Sequence, residues 1–257
     1  MKKLLKLAGE ARNLFFVLEP SSFFRWLWLL LVLSPKVVRS GSLGIVDEAF
    51  GESIRFRTAG RVFSLDQCPL GLVREIIGSE CYLRAAELRG FREILDLGSN
   101  CGVFTLFCLA NAPETRVTAV EVQPKLIAAA RANIGSTGFS ARVSFLNAYA
   151  GEENDFIREL TAGDPDVVRF SPEAYIAEVG ECDFMKCDIE GAEYTLITPA
   201  ANWLRRVKRI SLEYHGSWAQ GSELGDILRG HGFHVSQQPH GDLGYLQCVR
   251  QQRPSSN

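Results

Sequence analysis

From residue 92 onward, short apolar runs alternate with longer segments of helical periodicity, and this rhythm limits the fold more than any other feature. The runs that predict strands are REILDLG, RVTAVEV, ARVSFLNA, CDFMKCDI and VKRISLEYH. The segments that predict helices are CGVFTLFCLANA, QPKLIAAARANIGS, GAEYTLITPAANWL and ELGDILRGHG. Such alternation indicates βαβ units and a mostly parallel sheet with right-handed crossovers. We therefore predict an α/β, doubly wound three-layer domain over about residues 90–250, closed by a hairpin with His240 to Gly244 near its turn.

The first 40 residues form a basic and apolar head. They contain seven basic and two acidic residues, a net charge of +5, on a chain whose net charge is −2. Apolar positions at helical spacing from Leu4 to Leu18 predict one helix, and FFRWLWLLLVL (residues 23–33) follows it. This run is shorter than the about 20 apolar residues of a membrane span, and no A-x-A-like cleavage site follows it. It is typical of a helix that packs on the domain, of a membrane-surface or lipid-substrate contact, or of an oligomer interface.

Three parts are predicted along the chain. Residues 1–40 are a helical N-terminal extension, residues 41–90 a small pre-domain of strands and helix, and residues 91–257 the main domain, with a polar insertion at about 150–181. Near the first two boundaries, SPKVVRSGSLG predicts a linker, residues 44–68 predict short strands with turns, and LVREIIGSECYLRAAEL predicts a helix.

Composition narrows the classes of partner. An isoelectric point near 6.1 disfavours a nucleic-acid binder. The seven cysteines form no C-x-x-C pair and no cluster with metal-ligand spacing. Most lie in apolar runs, where a reduced thiol acts as a small hydrophobe. We therefore predict a cytoplasmic protein without a nucleic-acid partner, and the head leaves open a peripheral membrane contact through residues 1–40.

The ends of the first three predicted strands carry candidate ligand-binding residues, because doubly wound sheets bind ligands beyond the carboxyl ends of their strands. In DLGSNCG, Gly98 and Gly102 let the backbone approach a ligand closely. The G-x-N-x-G pattern differs from the G-x-G-x-x-G of dinucleotide-binding proteins, which disfavours an NAD-linked oxidoreductase. Glu121 ends the second strand, 25 positions after Asp96, where a carboxylate can accept hydrogen bonds from a ribose diol. Asn147 ends the third, and its amide can meet an adenine edge or form a turn.

The next two strand ends carry acids and a histidine. FMKCDIEGAEY ends a buried strand in Asp188, Glu190 and Glu193, and LEYHG ends the following strand with His215. An acid in the first turn of a helix favours its positive end. We therefore expect Glu193 to serve the following helix, and Asp188 and Glu190 to face the ligand crevice.

These motifs, in this order, resemble the FkbM family of S-adenosylmethionine-dependent methyltransferases. The matching stretches are DLGSNCGVFT, AVEVQP, FMKCDIEGAEYTLI and SLEYH, within about residues 93–216. The resemblance implies a Rossmann-like class I methyltransferase fold, with a mostly parallel seven-stranded sheet of order 3-2-1-4-5-7-6 and an antiparallel last strand. It also implies S-adenosyl-L-methionine as cofactor. Family members typically methylate hydroxyls, often on sugars, glycans or polyketides, so the resemblance implies O-methylation of a small-molecule or glycan acceptor.

The resemblance also implies a cofactor-binding role for each matching strand end. The residues that would line the methionine end of the cofactor are Asp96, Gly98, Asn100 and Gly102. Glu121 would hold the ribose hydroxyls. The residues that would lie near the adenine are Asn147 and Ala148.

The predicted catalytic group is Asp188, Glu190 and His215. By the resemblance, Asp188 and Glu190 border the reacting methyl and the acceptor. Methyl transfer from a sulfonium is an in-line displacement, so acceptor, methyl carbon and sulfur have to be aligned, and a hydroxyl acceptor needs a base. His215 and Asp188 are both candidates for that base. Alternatively, the carboxylates and the histidine hold Mg²⁺ or Mn²⁺, which lowers the pKa of the acceptor, although the spacing does not require a metal.

Two other functions are compatible with parts of the sequence. One is the NAD-linked oxidoreductase, which the turn pattern disfavours. The other is a membrane-associated scaffold on a degenerate methyltransferase fold, which the basic, Trp-rich head suggests. Intact Asp96, Gly98, Glu121 and Asp188 argue against degeneration.

Overall fold

A computed structural model describes residues 2–153, 155–161, 166–240 and 243–251 of the chain. The chain forms two compact units, each built from several segments. The first consists of residues 1–89, 101–113 and 128–140, and the second of residues 90–100, 114–127 and 141–257. The predicted domain bounds at residues 40 and 90 remain a prediction.

The first unit is mainly helical around one β-hairpin. Its elements are α1 (Lys2–Val17), α2 (Pro20–Ser40), α3 (Gly44–Phe50), β1 (Ile54–Thr58), β2 (Arg61–Leu65), α4 (Leu70–Val73), a π-helical turn (Arg74–Gly78), a 3₁₀ turn (Ala85–Leu88) and α5 (Val103–Asn111). Helix α6 (Pro124–Gly135) begins in the second unit and ends in the first. The core of the first unit contains Leu14, Trp26, Phe50 and Phe56, all at most 1% exposed. The predicted first helix is confirmed, and β1 and β2 confirm short strands within residues 44–68.

Helix α2 is longer than predicted, and the prediction of a linker over SPKVVRSGSLG is wrong for residues up to Ser40. The helix continues through Pro35, which has no N–H to donate to the carbonyl of Leu31. The Ser34 hydroxyl donates to that carbonyl instead, at 2.8 Å. Helix α2 has 21 residues, and its most apolar stretch of 18 residues has a mean hydropathy of 1.3. It is therefore long and apolar enough to cross a membrane, although core helices and signal sequences meet the same criterion.

Two further local predictions in this unit are wrong. Residues 44–50 form α3 and not a strand. The helix predicted over LVREIIGSECYLRAAEL is broken into α4, the π-helical turn and the 3₁₀ turn. The break falls after Gly78, where Glu80 has a left-handed φ of 48° that a continuous α-helix cannot contain.

The second unit contains one mixed sheet. Its strands are β3 (Glu93–Leu97), β4 (Arg116–Glu121), β5 (Val143–Tyr149), β6 (Val168–Arg169), β7 (Cys182–Cys187), β8 (Val207–His215), β9 (Phe233–His240) and β10 (Leu243–Arg250). The strand order is β6-β5-β4-β3-β7-β8-β10-β9. All pairs are parallel except those of β10, which is antiparallel to both β8 and β9. The α/β, doubly wound, mostly parallel fold with an antiparallel last strand is confirmed.

Over the residues that the structure describes, the sheet has one strand more than the seven expected. The additional strand, β6, has only two residues, which pair with Ala148 and Tyr149 of β5. Such a short strand leaves no period-two pattern in the sequence. Without β6, the order is 3-2-1-4-5-7-6 when the remaining strands are numbered along the chain.

The other elements of this unit connect the strands. They are α7 (Asp155–Thr161), α8 (Pro172–Val179), α9 (Glu193–Leu196), a 3₁₀ turn (Asn202–Arg206) and α10 (Trp218–Gly230). The prediction that GAEYTLITPAANWL is mostly helix is wrong beyond Leu196, because Thr198 precedes a proline and the residue before proline disfavours the α conformation. The segment predicted as an insertion contains α7, β6 and α8, which connect β5 to β7. Residues 241–242, at the predicted turn of the closing hairpin, lie outside the described residues.

Candidate active site

The turn after β3 is held tightly against the ends of its two neighbouring strands. The N–H groups of Gly98 and Ser99 both donate to the carbonyl of Val120, at 2.9 and 3.0 Å, and the N–H of Asp188 donates to Leu97 at 3.1 Å. A Cβ at Gly98 would lie 1.8 Å from the carbonyl oxygen of Asp188, and Gly98 has a φ of 76°. Only glycine satisfies both requirements, so the strand ends can approach each other this closely only with glycine here.

Glu121 lies at the end of β4 with both carboxylate oxygens engaged by the backbone. Its Oε2 accepts from the N–H of Asn100 at 2.9 Å, and its Oε1 accepts from the N–H of Gln123 at 2.9 Å. The side chain is buried. Burial raises the pKa of Glu121, and the two N–H groups oppose that rise. These contacts fix the carboxylate in one orientation beside the β3 turn.

A buried lysine connects β7 to the β3 turn. Lys186 pairs in register with Asp96 of β3, and its Nζ lies 3.4 Å from the Asp96 carboxylate. The same Nζ donates to the carbonyl of Gly98 at 2.6 Å and lies 3.7 Å from Oδ2 of Asp188. Burial lowers the pKa of Lys186, but the charges of Asp96 and Asp188 outweigh it and the pKa is raised. Lys186 is therefore a cation that holds the β3 turn and the end of β7 together.

Two carboxylates and one imidazole meet where β7 and β8 end. Nε2 of His215 lies 3.1 Å from Oε2 of Glu190 and 4.0 Å from Oδ1 of Asp188. Glu190 and Gly191 follow each other in left-handed conformations, with φ of 53° and 95°. This turn brings Glu190 back over the end of the strand, so that both carboxylates approach the same ring nitrogen.

Glu193 contacts both the Gly191 turn after β7 and His215 at the end of β8. The prediction that it mainly serves the following helix is therefore incomplete. Its side chain is 0% exposed. Its Oε2 accepts from the N–H of Gly191 at 2.8 Å, and its Oε1 accepts from the N–H of His215 at 2.7 Å. The same oxygen lies 3.3 Å from Nδ1 of His215. One buried carboxylate thus fixes both the Gly191 turn and the orientation of the imidazole.

The carboxylates around His215 favour its charged form. Burial by itself would lower the pKa of His215, but its hydrogen bonds with Glu190 and Glu193 outweigh burial and raise the pKa to about 10. The hydrogen bond between His215 and Glu190 in turn lowers the pKa of Glu190. An imidazolium donates from both ring nitrogens and has no lone pair with which to accept a proton.

A cleft at the ends of these strands brings most of the predicted residues together. Six of the predicted site residues line it, and these are Gly98, Asn100, Glu121, Ala148, Asp188 and Glu190. They come from the ends of β3, β4, β5 and β7. His215 reaches this group through its contact with Glu190.

Besides His215, three predicted residues lie outside the lining of this cleft. Asp96 is fully buried behind the turn, against Lys186. The amide of Asn147 donates to the carbonyls of Glu121 and Val122, at 2.8 and 2.9 Å, so it ties β5 to the end of β4. Gly102 belongs to the first unit, where it begins α5 with a φ of 88°.

Sequence reasoning missed several residues at this site. Lys186 had a usable signal, because a lysine inside an apolar strand needs a buried counter-charge. Gln123, Ile157, Leu160 and Ile189 also line the cleft, and no local pattern marks them.

The acid and histidine group has a geometry that could hold one metal ion. One ligand atom from each of Asp188, Glu190 and His215 lies within 4.8 Å of the others. Carboxylate oxygens and an imidazole nitrogen are ligands for Mg²⁺ and Mn²⁺. The buried Glu193 beside Nδ1 is the kind of partner that orients a metal-binding histidine.

Comparison with known proteins identifies similarity over the part of the chain that contains these strand ends. The family model described as the methyltransferase FkbM domain matches residues 96–235. The 31-O-demethyl-FK506 methyltransferase FkbM of Streptomyces tacrolimicus is 29% identical over 215 residues, with 64% of this chain and 81% of that protein covered.

Two of the solved structures with a similar fold illustrate the resemblance. A precorrin-6y C5,15-methyltransferase from Geobacter metallireducens has 16% identity and a TM-score of 0.45, with 65% of this chain and 85% of that chain covered. An O-methyltransferase family protein from Burkholderia thailandensis has 15% identity and a TM-score of 0.45, with 70% of this chain and 56% of that chain covered.

Proposed function

The chain belongs to the FkbM family of methyltransferases, and we propose that it transfers a methyl group from S-adenosyl-L-methionine to a hydroxyl of a small-molecule or glycan acceptor. One observation carries this proposal. A single cleft contains a backbone-fixed carboxylate, Glu121, beside a glycine turn, and two more carboxylates, Asp188 and Glu190, from the neighbouring strand ends. The family membership favours methyl transfer over hydride transfer to NAD and over a scaffold without activity.

The contacts of Glu121 support a role in holding the ribose of the cofactor. Each carboxylate oxygen has two lone pairs, and each is used once, by the N–H of Asn100 or of Gln123. One lone pair on each oxygen is left for the two ribose hydroxyls. The methionine part would lie along Gly98, where a side chain is excluded. Ala148 lines the same cleft and would lie near the adenine.

Asp188 is the base that the contacts favour. In the reaction, the bond between acceptor oxygen and methyl carbon forms as the bond between methyl carbon and sulfur breaks. The sulfonium becomes a neutral thioether, and the hydroxyl proton has to leave. The hydrogen bonds of His215 with Glu190 and Glu193 raise its pKa to about 10, which favours the charged imidazolium and disfavours His215 as the base. Asp188 takes the hydroxyl proton, a role worth about 10²–10⁴ in rate. His215 positions Glu190 at the rim of the cleft.

The competing mechanism places a divalent cation on Asp188, Glu190 and His215. The 4.8 Å grouping of their ligand atoms supports it. Such an ion would bind the acceptor oxygen and lower its pKa. Treatment with a chelator separates the two mechanisms. Activity that survives chelation supports Asp188 as the base, and activity lost on chelation and restored by Mg²⁺ or Mn²⁺ supports the ion.

Calorimetric titration with S-adenosylmethionine and with its demethylated product tests the cofactor assignment. We expect Glu121→Ala to weaken binding at least about tenfold, because two hydrogen bonds to a charged group are lost. Glu114→Ala is the matched control, since Glu114 precedes the same strand and is 78% exposed. If the wild-type protein binds neither compound, the proposed function fails.

The acceptor is tested separately with isotopically labelled cofactor. The protein is incubated with an extract of its source cells, and the labelled product is identified by mass spectrometry and NMR. A methyl ether supports the proposal. A methyl group on nitrogen, carbon or sulfur would contradict O-methylation and leave the cofactor assignment standing.

A further inference from the structure

The first unit carries a large apolar surface that its own fold does not cover. Of the twelve exposed large apolar side chains among the described residues, seven lie between residues 15 and 38. Their exposed fractions are between 56% and 69%, and they are Phe15, Phe16, Phe24, Trp28, Leu31, Val32 and Val38. Soluble monomers expose single apolar side chains commonly, but a contiguous group of this kind marks an interaction surface. We call these seven residues the apolar face.

The apolar face is a stripe along α2. Phe24, Trp28, Leu31 and Val38 follow one another at spacings of four, three and seven residues, which places them on one side of a helix. Phe15 of α1 joins the stripe through Phe23 of α2, whose ring lies 5.1 Å from that of Phe15 and 6.1 Å from that of Phe24. The surface therefore runs over both helices as one feature.

The opposite side of α2 is fixed to its own unit. Ser22, Trp26 and Val37 are its buried residues, and Trp26 is 0% exposed. At the edge between this side and the apolar face, the guanidinium of Arg25 lies 4.8 Å from the centre of the Phe50 ring in α3. A helix anchored along one side cannot offer all of its surface to lipid. In this fold α2 can therefore lie along a membrane but not cross it, although its length and hydropathy would suffice for a span.

Cations flank one edge of the stripe. Lys36 and Arg39 follow Arg25 by eleven and fourteen residues, which places all three along the same edge of the helix as Val32. All three are exposed. The two acids of the head do not balance them. Glu10 is paired with Arg74 at 3.2 Å, and Glu19 accepts from the N–H of Ser21 at the start of α2. The edge of the apolar face is therefore positively charged.

We propose that the apolar face binds the surface of a membrane that contains anionic lipids. A helix with apolar and aromatic residues on one side and cations beside them is suited to the boundary between headgroups and acyl chains. Anionic headgroups complement the edge formed by Arg25, Lys36 and Arg39. A second copy of this chain would instead bring two heads of net charge +5 together, which opposes association. The proposal concerns the first unit and does not depend on the proposed reaction.

Flotation of the full-length protein with vesicles tests the proposal. The vesicles contain phosphatidylcholine alone or phosphatidylcholine mixed with phosphatidylglycerol. We expect binding to the mixed vesicles, and weaker binding when salt rises from about 0.1 M to about 1 M and the screening length falls from about 10 Å to about 3 Å. Trp28→Glu with Leu31→Glu should reduce the bound fraction more than about tenfold. Lys36→Gln and Arg39→Gln should each reduce it about fivefold.

The matched control is Trp218→Glu, because Trp218 is 53% exposed on α10 of the second unit. It should float like the wild type. Circular dichroism and thermal unfolding check that each variant is folded, and Phe24→Glu replaces the double variant if that variant misfolds.

Three results would overturn the proposal. One is a failure of the wild type to bind the mixed vesicles. Another is binding that the Trp28 and Leu31 substitutions leave unchanged. The third is a dimer, detected by light scattering without lipid, that the Trp28 and Leu31 substitutions convert to a monomer while the wild type binds no vesicles. That result would identify a second copy of the chain as the partner of the apolar face.

Discussion

Replacing Glu193 by Gln should weaken both the stability of the second unit and methyl transfer, while cofactor binding survives. The substitution keeps the size of the side chain and removes its charge. The buried carboxylate accepts three contacts, from the N–H of Gly191, the N–H of His215 and Nδ1 of His215. An amide has only one acceptor oxygen. Whichever way the amide turns, its NH₂ group faces an N–H that had an acceptor before.

The magnitude follows from these contacts. One charge-assisted hydrogen bond is lost, which costs about 1.5–3 kcal/mol, and the remaining bonds weaken from charged to neutral by about 1 kcal/mol. We therefore expect a decrease in unfolding free energy of about 2.5–4 kcal/mol. Glu190→Gln is the control, because Glu190 contacts the same imidazole but is 59% exposed. Its cost should stay below about 1 kcal/mol.

The pH dependence of the stability gives a second test of the Glu193→Gln variant. A group whose pKa is raised on folding contributes stability that is complete below its unfolded pKa and is lost as the pH rises through its folded pKa. For His215 the window runs from about 6.5 to about 10. Wild-type stability should therefore fall across this window, and the fall should be smaller in Glu193→Gln, in which the imidazolium has lost one anion.

Urea unfolding of the wild type and both variants at about pH 6, 8 and 10 measures these differences. Calorimetry and turnover complete the test. We expect a cofactor Kd within about threefold of the wild type and a large loss in kcat, because Glu193 orients His215 and the Gly191 turn and does not line the cleft. A loss of stability no larger than that of Glu190→Gln, or an unchanged pH profile, would refute the reasoning.

Three further predictions concern the same strand ends. Gly98→Ala should cost at least about 4 kcal/mol or prevent folding, because the added Cβ would lie 1.8 Å from a backbone oxygen; Gly60→Ala, with a similar φ of 72° and open space, should cost only about 1–2 kcal/mol in thermal unfolding. Lys186→Met should cost about 3–5 kcal/mol, because it leaves a buried carboxylate without its cation, and a loss no larger than that of Lys208→Met at a half-exposed ion pair would contradict this. Asp188→Asn should reduce kcat by about 10²–10⁴, and a Kd for the cofactor that rises equally would assign Asp188 to binding instead of proton transfer.

The sheet and the strand ends were predictable from the sequence for a physical reason. A strand that is buried on both faces has to be apolar over nearly its whole length, so β3, β4 and β7 stand out as apolar runs. The topology of parallel strands then brings their carboxyl ends to one edge. Gly98, Glu121, Asp188 and Glu190 are recognisable from the sequence for that reason, and they line one cleft.

Local sequence was less informative where a helix depends on a single hydrogen bond. The proline in SPKVVRS predicts the end of a helix, but the Ser34 hydroxyl occupies the carbonyl that Pro35 leaves open, and α2 continues to Ser40. That continuation extends the apolar stripe as far as Val38.

Only the tertiary structure decided how the polar groups of the site are paired. Glu193 contacts His215, which lies 22 positions away, and Asn147 donates its amide to the end of β4, 26 positions away. Asp96 is matched with Lys186 across neighbouring strands, 90 positions apart. The apolar pattern of a strand depends on residues that are neighbours along the chain, so it can be recognised in the sequence. A buried hydrogen bond or ion pair is set by which strand ends the fold brings within about 3 Å, and that distance exists only once the sheet has formed.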